Sequence, residues 1–459
     1  MKNLARSLAR LLGPGVVRDD AETLKTHAAD RWFAARRPDV VVLAKNRGHV
    51  EKTLRFANRH GIPVTPRGSG YGYVGGCVPS RGGIALSVAR MNRIKEIHFA
   101  DGVAVVEPGV ITGTLQDAVK AEGLFYPPDP ASLRECSIGG NIATNAGGPR
   151  CLKYGVTRHY VLGLEVVLAD GRVLHCGGRT HKNKQGFDLI GSFVGSEGLL
   201  GVVTEATLRL LPYPPERATI AVSFATFRAA ADAVQRIFAA GYLPSAMEIA
   251  DPFTLQSARE FLGREIAPGA KSLVLVELDG QAASVAQESA TLAELLRSLN
   301  PTSLLTALGD EEGEKLWGLR RAYSASLKAT GLTKMNEDVV VPRGKLVELA
   351  EFGEHLAKKH GYPVACFGHA GDGNIHVNIM AGGYHDDRKV KARVDRALDE
   401  LFTWVLKVGG AITGEHGIGL AKKPWWPQAA DKVNRDVHRA LKTALDPKGI
   451  LNPGKFVGV

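Results

Sequence analysis

The chain has 459 residues, which is enough for about two or three domains. Hydrophobic residues make up 44% and charged residues 23% of it, and no uncharged apolar run reaches the roughly 18 residues that span a bilayer. This composition excludes an integral membrane protein. The net charge of +11 is spread along the chain without basic blocks, so it favours an anionic small-molecule ligand over a nucleic acid.

Cysteine usage and the start of the chain indicate the compartment. The five cysteines are scattered along the chain: Cys77, Cys136, Cys151, Cys176 and Cys366. Their number and spacing suit neither a disulfide framework nor a paired-cysteine metal site, and unpaired thiols are typical of a reducing compartment. The opening residues lack the continuous apolar core of a secretory leader. We therefore expect a cytoplasmic protein, with peripheral attachment to the inner face of the membrane left open.

The chain begins with a predicted helical segment over residues 1–37, where Leu4, Leu8, Leu11 and Leu12 share one apolar stripe. Residues 38–215 follow with short β-rich runs separated by glycine clusters. Strands are predicted over 39–45, 62–67, 83–88, 102–110, 161–174 and 199–211, and helices over 48–61 and 111–123. This alternation predicts a first α+β domain.

A proline cluster at Pro212, Pro214 and Pro215 predicts a domain boundary. From residue 216 the sequence changes to long helices with a few strands. Helices are predicted over 227–241, 282–300, 311–331 and 384–410, and strands over 219–225, 271–280, 338–344 and 362–380. Helices and strands of these lengths predict a second α+β domain, over residues 216–445, in which helices cover an antiparallel sheet.

The first chemical motif is PRGSGYGYVGG at 66–76, directly after a predicted strand. Its five glycines leave backbone N–H groups that can point at an anion such as a phosphate. The spacing fits neither the Rossmann fingerprint nor the P-loop. Taken alone, the motif is equally compatible with a glycine-rich structural turn.

Two further clusters, over 129–148 and 193–210, complete a pattern that resembles the flavin domain of the vanillyl-alcohol-oxidase and p-cresol-methylhydroxylase group. That resemblance implies FAD bound between two α+β subdomains. The cofactor-binding positions it implies are Arg67, Gly68, Ser69, Gly70, Tyr71, Asp129, Pro130, Ser132, Ser137, Gly140, Asn141, Thr144, Asn145, Glu197, Gly198 and Val203. Tyr71 and its neighbours offer no histidine for a covalent link, and Cys136 is interpreted as a packing residue. We expect noncovalent FAD.

A second motif, CFGHAGDGNIHVNI, predicts a β-hairpin turning at Asp372-Gly373, a dipeptide suited to a two-residue type I′ turn. With that turn, His369 and His376 lie directly opposite each other, close enough to share a metal ion. Asn378 projects from the same face.

The motif GEHGIG at 414–419 adds a candidate carboxylate, Glu415, beside a third histidine, His416. Two imidazoles and one carboxylate form a zinc-type catalytic site that leaves a coordination position open. The same ligand set also suits iron, although the ligand types favour zinc over manganese and iron. A histidine pair on a hairpin, without the other features, would be structural about as often as functional.

These motifs and the closing LDPKGILNPGKFV resemble the C-terminal domain of FAD-linked D-2-hydroxyacid dehydrogenases. That group includes cytochrome-linked D-lactate dehydrogenases, glycolate oxidase catalytic subunits and D-2-hydroxyglutarate dehydrogenase. The likeness covers residues 38–459. It implies that His369, His376 and Glu415 hold a metal, that His416 is the base, and that residues 446–459, with Asn452 as a cofactor ligand, return to the flavin domain.

The segment 316–342 resembles the part of that family that presents ligands to the substrate carboxylate. Arg320 aligns directly, Ser324 replaces a usual threonine, and Lys334 aligns only after a one-residue gap. With Asn378 at a substrate-contacting position, these residues form the implied substrate site. A role for Arg320 on the helix surface is the alternative, but its neighbour Arg321 fits that role at least as well.

The resemblance implies oxidation of a D-2-hydroxy acid (D-lactate, D-2-hydroxyglutarate or glycolate) to the 2-oxo acid, with a cap domain over the flavin. It also implies that hydride passes to FAD and that electrons then pass to a non-NAD acceptor such as a quinone, a cytochrome or an electron-transfer protein. Alternatives left open are a flavin oxidase that uses oxygen and a flavin-binding subunit of a glycolate-oxidase-like complex. Nucleic-acid binding rests on net charge alone. The sequence leaves open whether the protein is a homodimer.

Overall fold

The computed structural model describes residues 2–263, 267 and 269–458. The strands of this part of the chain are β1 Val17–Arg18, β2 Val40–Leu43, β3 Val64–Arg67, β4 Ile84–Ser87, β5 Ile94–His98, β6 Val103–Val106, β7 Leu124–Phe125, β8 Val161–Val167, β9 Val173–Gly177, β10 Val202–Arg209, β11 Leu211–Pro212, β12 Glu216–Phe224, β13 Ala246–Ala250, β14 Ser272–Gly280, β15 Ser303–Leu308, β16 Thr333–Val340, β17 Val364–His369 and β18 Asn374–Ala381.

The α-helices are α1 Lys2–Leu12, α2 Ala21–Thr26, α3 Arg47–His60, α4 Thr112–Ala121, α5 Ile138–Thr144, α6 Cys151–Tyr154, α7 Leu189–Phe193, α8 Phe227–Ala239, α9 Pro252–Leu262, α10 Ala282–Arg297, α11 Asp310–Ala329, α12 Leu346–His360, α13 Arg388–Lys407, α14 Trp426–Ala429 and α15 Lys432–Leu445. Short 3₁₀ turns lie at Thr157–Tyr160, Arg343–Lys345 and Lys423–Trp425. Within the described ranges, no helix is both long and apolar enough to cross a membrane.

The first compact unit comprises Met1–Gly147, Val156–Tyr213 and Glu415–Val459. It holds a four-stranded sheet in the order β1-β2-β4-β3, with β2, β4 and β3 parallel, and a five-stranded antiparallel sheet in the order β5-β6-β10-β8-β9. α3 packs on the first sheet through buried Val50 and Leu54. The side chain of Asn46 caps its start, and Gly61 ends it in the left-handed region.

The predicted N-terminal helical segment consists of α1 and α2, separated by the short strand β1. On α1, Leu8 and Leu12 are buried in the core beside the first sheet, and Leu4 packs against that core. Leu11 points away and is 39% exposed. Three of the four leucines of the predicted stripe therefore contact the core.

The second unit comprises Gly148–Gly155 and Pro214–Gly414. The seven strands that the structure describes in this unit form one antiparallel sheet in the order β15-β12-β14-β13-β17-β18-β16. Helices α8, α10, α12 and α13 pack on one face, and α9 and α11 pack on the other. The predicted helix-covered antiparallel sheet is confirmed.

Two strands of this sheet, β13 and β15, were not predicted. β13 has the sequence AMEIA, in which a central glutamate interrupts a short apolar run. β15 is the edge strand, and its two exposed leucines, Leu305 and Leu308, obscure any inward-outward alternation. β13 matters most here, because it brings Glu248 next to the hairpin histidines.

The compact units do not follow the predicted domain limits. The chain rejoins the first unit at Glu415 rather than at residue 446. Hydrogen bonds explain this return, since Glu197 accepts from the backbone N–H groups of Ile418 and Gly419. Residues 148–155 belong to the second unit, where Arg150 forms an ion pair with Glu277. Both assignments depend on partners far away in sequence.

The register of the β17–β18 hairpin differs from the predicted one. His369 pairs with Asn374, and His376 pairs with Phe367, so the two histidines are diagonal neighbours rather than directly opposite. The connection is a four-residue loop. A type I′ turn requires a positive φ at both central residues, but only Gly373, with φ 83°, has one. The predicted two-residue turn at Asp372-Gly373 is therefore wrong.

Candidate functional site

The glycine loop after β3 is supported by a buried side chain of the first unit, that of Arg67. Gly70 has a φ of 77°, and a Cβ there would lie 2.1 Å from Nη2 of Arg67. The buried Arg67 guanidinium donates to the carbonyl of Ala29 (2.8 Å) and to Sγ of Cys77 (3.0 Å). Arg67 therefore supports the shape of the loop. Its predicted contact with the cofactor stays a prediction.

This loop lies against the start of α5. A Cβ on Gly68 would come within 2.4 Å of Oγ of Ser137, the residue before the helix. Ser137 is 1% exposed, and its hydroxyl has no hydrogen-bond partner among the described residues. A buried unsatisfied hydroxyl costs about 1–3 kcal/mol. A ligand oxygen beside the glycine loop would remove that penalty, so the residues present fit a phosphate-bearing cofactor.

The other predicted cofactor residues also lie in the first unit. Asn141 of α5 is buried and donates to Oγ1 of Thr112 at 2.6 Å, and Asn145 ends the helix with a φ of 53°. The rest are Ser69 and Tyr71 in the first loop, Asp129, Pro130 and Ser132 before α5, Gly140 and Thr144 within α5, Gly198 in the turn before β10, and Val203 in β10.

Glu197 and Asn452 hold loops of the first unit together. The Glu197 carboxylate accepts from the N–H groups of Ile418 (2.7 Å) and Gly419 (2.9 Å), and burial raises its pKa. Nδ2 of Asn452 donates to the carbonyls of Gly76 and Glu197. The structure thus gives both residues a bracing role that the sequence did not indicate. Cofactor contact by either remains a prediction.

His416, the predicted base, lies in the same unit. Its ring stacks on Tyr73 of the glycine loop, with ring centroids 5.3 Å apart and planes 26° apart. Burial raises the pKa of the Tyr73 hydroxyl. The stacking ties the GEHGIG segment to the predicted phosphate loop. No feature of the sequence pointed to Tyr73.

The hairpin histidines remain close despite the changed register. Diagonal neighbours project from one face, and the ring centroids of His369 and His376 are 5.7 Å apart, with both side chains buried. Glu415 directly follows Gly414, the last residue of the second unit. One nitrogen of each histidine and one Glu415 oxygen lie within 4.8 Å of one another. This donor set fits one divalent metal ion.

Glu248, which was not predicted from the sequence, contacts one residue of the predicted metal site and one residue of the predicted carboxylate-binding site. It pairs with His369 across β13 and β17, and its Oε1 lies 2.5 Å from Nδ1 of His369. Its Oε2 accepts from Nε of Arg320. Burial works to raise the Glu248 pKa, but Arg320 and His369 outweigh it and hold the pKa well below its ordinary value. A charged residue inside the apolar run AMEIA was the one available signal.

Asp338 is a second missed residue. It pairs with His376 in the β16–β18 register and is fully buried. Its carboxylate accepts from Oγ1 of Thr413 (2.9 Å), the N–H of Gly414 (3.0 Å) and Nδ2 of Asn374 (2.7 Å). Asp338 therefore fixes the backbone that leads directly into Glu415.

The three predicted carboxylate ligands lie together on α11 and β16. Nζ of Lys334 donates to Oγ of Ser324 at 2.9 Å. The Arg320 guanidinium and the Lys334 ammonium lie over the Phe367 ring, 5.1 Å and 5.6 Å from its centroid. Burial, with repulsion from Lys328 and Arg320, lowers the pKa of Lys334 to about 7. The one-residue alignment gap thus did not separate Lys334 from its partners.

Asn378 follows His376 by two residues on β18 and is fully buried. Its Nδ2 donates to the carbonyls of Ala365 (3.1 Å) and His376 (2.9 Å). Its Oδ1 has no partner among the described residues. These bonds fix the orientation of the amide, so that one acceptor oxygen is available to a ligand.

Two family models match the chain. The FAD binding domain matches residues 38–177, and the C-terminal domain of FAD linked oxidases matches residues 213–456, more than half of the chain. Solved structures share the fold: p-cresol methylhydroxylase with substrate bound has a TM-score of 0.80 at 19% identity, over 100% of this chain and 96% of that one. The predicted α+β fold with a flavin domain of this type is confirmed.

Curated relatives match nearly the whole chain. The glycolate oxidase subunit GlcD of Bacillus subtilis is 40% identical over 419 residues, covering 91% of this chain and 89% of that protein. The D-lactate dehydrogenase of Archaeoglobus fulgidus is 36% identical over 432 residues, covering 91% of each chain. The D-lactate dehydrogenase of Anaerostipes hadrus is 31% identical over 448 residues, covering 96% of this chain and 94% of that protein. The chain belongs to the FAD-linked oxidase family and is an oxidoreductase of the glycolate oxidase and D-lactate dehydrogenase type.

Proposed function

We propose that this oxidoreductase converts a D-2-hydroxy acid, namely D-lactate, glycolate or D-2-hydroxyglutarate, to the 2-oxo acid. The observation that carries the proposal is on one face of the seven-stranded sheet. There a single buried carboxylate, Glu248, contacts both a histidine of the three-residue donor set and the arginine of a cationic pair. A metal ligand beside a carboxylate-binding pair suits a substrate that carries a hydroxyl next to a carboxylate.

His369, His376 and Glu415 would hold a divalent metal. Neutral imidazoles and a carboxylate are ligands that zinc accepts, and three protein ligands leave a position open for a substrate atom. The Nδ1 of His369 is engaged by Glu248, which leaves Nε2 as its ligand nitrogen. Iron remains compatible with the same donors.

The substrate carboxylate would bind Arg320, with Ser324, Lys334 and Asn378 beside it. Among the described residues, the hydrogen bonds of Arg320 involve Nε alone, so its terminal Nη atoms can pair with a carboxylate. Lys334 adds a donor held by Ser324, and the buried Oδ1 of Asn378 can accept from the substrate hydroxyl before the proton of that hydroxyl is removed. Together these groups orient the α-carbon before reaction.

Oxidation removes a proton from the hydroxyl oxygen and the α-hydrogen with its electron pair. When bound, FAD supplies the acceptor for that electron pair and the metal supplies positive charge that favours loss of the hydroxyl proton. His416 would take the proton on an imidazole nitrogen, since histidine is the side chain that most often serves as a general base. Its stacking on Tyr73 holds the ring in place for this task.

FAD would bind noncovalently through the glycine loop and the residues around α5. The buried Ser137 hydroxyl beside Gly68 supports this cofactor, as does the family match to an FAD binding domain. Electrons would then pass to a non-NAD acceptor such as a quinone, a cytochrome or an electron-transfer protein.

The test is anaerobic reduction of the flavin in the purified protein by D-lactate, L-lactate, glycolate and D-2-hydroxyglutarate. We expect rapid bleaching by at least one of the D-acids or glycolate, slow bleaching by L-lactate, and loss of bleaching after chelation that added Zn²⁺ restores. A flavin-loaded protein that none of these acids bleaches would contradict the proposed substrate class. Reoxidation with oxygen or with a quinone analogue then separates an oxidase from a dehydrogenase.

A further inference from the structure

We infer that Glu248 is a positioning residue that couples the metal ligand His369 to the carboxylate-binding Arg320. This inference rests on the proposed function and adds a residue to it. In this role Glu248 acts through His369 and Arg320 and does not itself contact the substrate or the metal. Its two oxygens serve different groups, so that one side chain fixes the relative positions of both.

The geometry assigns one task to each oxygen. Glu248 is 1% exposed, and Oε1 lies 2.5 Å from Nδ1 of His369. Because a carboxylate can only accept, this contact requires the proton to be on Nδ1. His369 then presents Nε2 to a metal as a lone pair. The second oxygen accepts from Nε of Arg320, and this contact orients the guanidinium while its Nη atoms stay available.

The backbone explains why this glutamate reaches both partners. The β13–β17 register pairs Glu248 with His369, so both side chains project from the same face of the sheet. Arg320 is on α11, which packs on that face. Glu248 is thus held between a neighbouring strand and the helix above it.

A glutamine at this position can satisfy only one of the two donors. Its amide has one acceptor oxygen and one NH₂ group, whereas both Nδ1–H of His369 and Nε–H of Arg320 need an acceptor. If the amide oxygen faces Arg320, the NH₂ group faces His369 and favours the tautomer with the proton on Nε2. That tautomer cannot ligate through Nε2. If the oxygen faces His369, Arg320 loses its orientation.

Glu277 provides a matched control within the same sheet. It lies on the adjacent strand β14, and β13–β14 pairing places it on the same face as Glu248. Its carboxylate is also buried, and it accepts from Arg150 (2.9 and 3.0 Å) and from Nε1 of Trp317 (2.8 Å). The side-chain hydrogen bonds of Glu277 are with Arg150, Ser245 and Trp317 rather than with His369 or Arg320, so its loss tests the general cost of breaking a buried ion pair.

The experiment compares Glu248→Gln, Glu277→Gln and Arg320→Lys with the wild type, each loaded with FAD. Zn²⁺ affinity is measured by competition with a chelator, and kcat and KM are measured with the best substrate. We expect Glu248→Gln to weaken Zn²⁺ binding by about 10–100-fold and to raise KM. Arg320→Lys should raise KM with wild-type Zn²⁺ affinity. Glu277→Gln should lower thermal stability and leave both quantities unchanged.

Wild-type Zn²⁺ affinity and KM in Glu248→Gln, or an equal loss of Zn²⁺ affinity in Glu277→Gln, would overturn the inference. Should Glu248→Gln not fold, Glu248→Asp replaces it. The shorter side chain keeps the charge but cannot reach both partners, so at least one of the two quantities must change by about fivefold or more. A wild-type protein that binds no Zn²⁺ and oxidises no hydroxy acid would instead contradict the proposed function itself.

Discussion

The glycine loop of the first unit and the polar face of the seven-stranded sheet place their functional groups by different means. In the loop, backbone N–H groups are the predicted ligand contacts, and side chains such as Arg67 support the loop from the interior. On the sheet, side chains from four strands and α11 meet only because the strands pair in a given register. A loop motif is therefore local in sequence. The candidate site on the polar face of the sheet, called the sheet site below, is assembled from distant segments.

The largest effect is expected from His369→Ala, which removes a proposed metal ligand from the polar face of the seven-stranded sheet. We expect kcat/KM for the hydroxy acid to fall by at least about 10³-fold, since loss of a metal's charge stabilisation removes several kcal/mol. Flavin content should not change, because the predicted flavin residues all lie in the first unit. Steady-state kinetics and flavin absorbance measure the two effects.

His385→Ala is the control for this substitution, because His385 is an exposed histidine of the same unit. It should retain wild-type kinetics. A His369→Ala enzyme that keeps a tenth or more of the wild-type kcat/KM would show that this site is not required for the reaction.

Gly70→Ala tests the glycine loop and should weaken FAD binding without affecting Zn²⁺ binding. Its φ of 77° strains any residue with a Cβ, and the new Cβ would clash with the buried Arg67 guanidinium. We expect the Kd for FAD to rise by about 10–100-fold, with Zn²⁺ affinity unchanged, as measured by flavin fluorescence and chelator competition. Gly76→Ala, whose nearest neighbour would be a Val74 methyl at 3.9 Å, should bind FAD normally. Equal FAD affinities in the two variants would contradict the backbone argument.

Asp338→Asn should have a smaller effect on the sheet site. The variant replaces one acceptor oxygen by an NH₂ group, so at least one of three donors loses its acceptor: Oγ1 of Thr413, the N–H of Gly414 or Nδ2 of Asn374. Displacing this backbone moves Glu415, and we expect Zn²⁺ affinity to fall by about tenfold. Asp387→Asn makes the same change at the exposed N-cap of α13, where asparagine caps equally well, and should bind Zn²⁺ normally. If Asp338→Asn binds Zn²⁺ with wild-type affinity, Asp338 contributes to stability and not to metal binding.

The same contrast explains what the sequence could predict. The glycine clusters, the histidine pair and GEHGIG are each contiguous, and all three were identified without a structure. The hairpin register failed because its turn type depends on the φ of Asp372, which one dipeptide does not determine. Glu248 and Asp338 were missed because their partners lie 121 and 75 residues away. No local pattern encodes such a pairing.

The smallest effect concerns Asp251, which follows β13 three residues after Glu248. Burial acts to raise the pKa of Glu248, but the Arg320 guanidinium and the hydrogen bond from His369 lower it. Asp251 instead caps α9 by accepting from the N–H of Thr254, and burial raises its pKa from 3.8 to about 6. A folded-state pKa above the unfolded value means that the protein is most stable below about pH 4 with respect to this group. That stability is lost as the pH rises through 6.

Asp251→Asn should remove this dependence while keeping the cap, since asparagine is an equally good N-cap residue. The variant should be more stable than the wild type by roughly 1–3 kcal/mol at pH 7.5 and by much less at pH 4.5, as measured by urea unfolding. Kinetic constants should not change. A stability difference that is the same at both pH values would mean that the Asp251 carboxylate carries no burial penalty. In that case, burial would cost the Asp251 carboxylate no more than it costs the carboxylate of Glu248, which has a cationic partner.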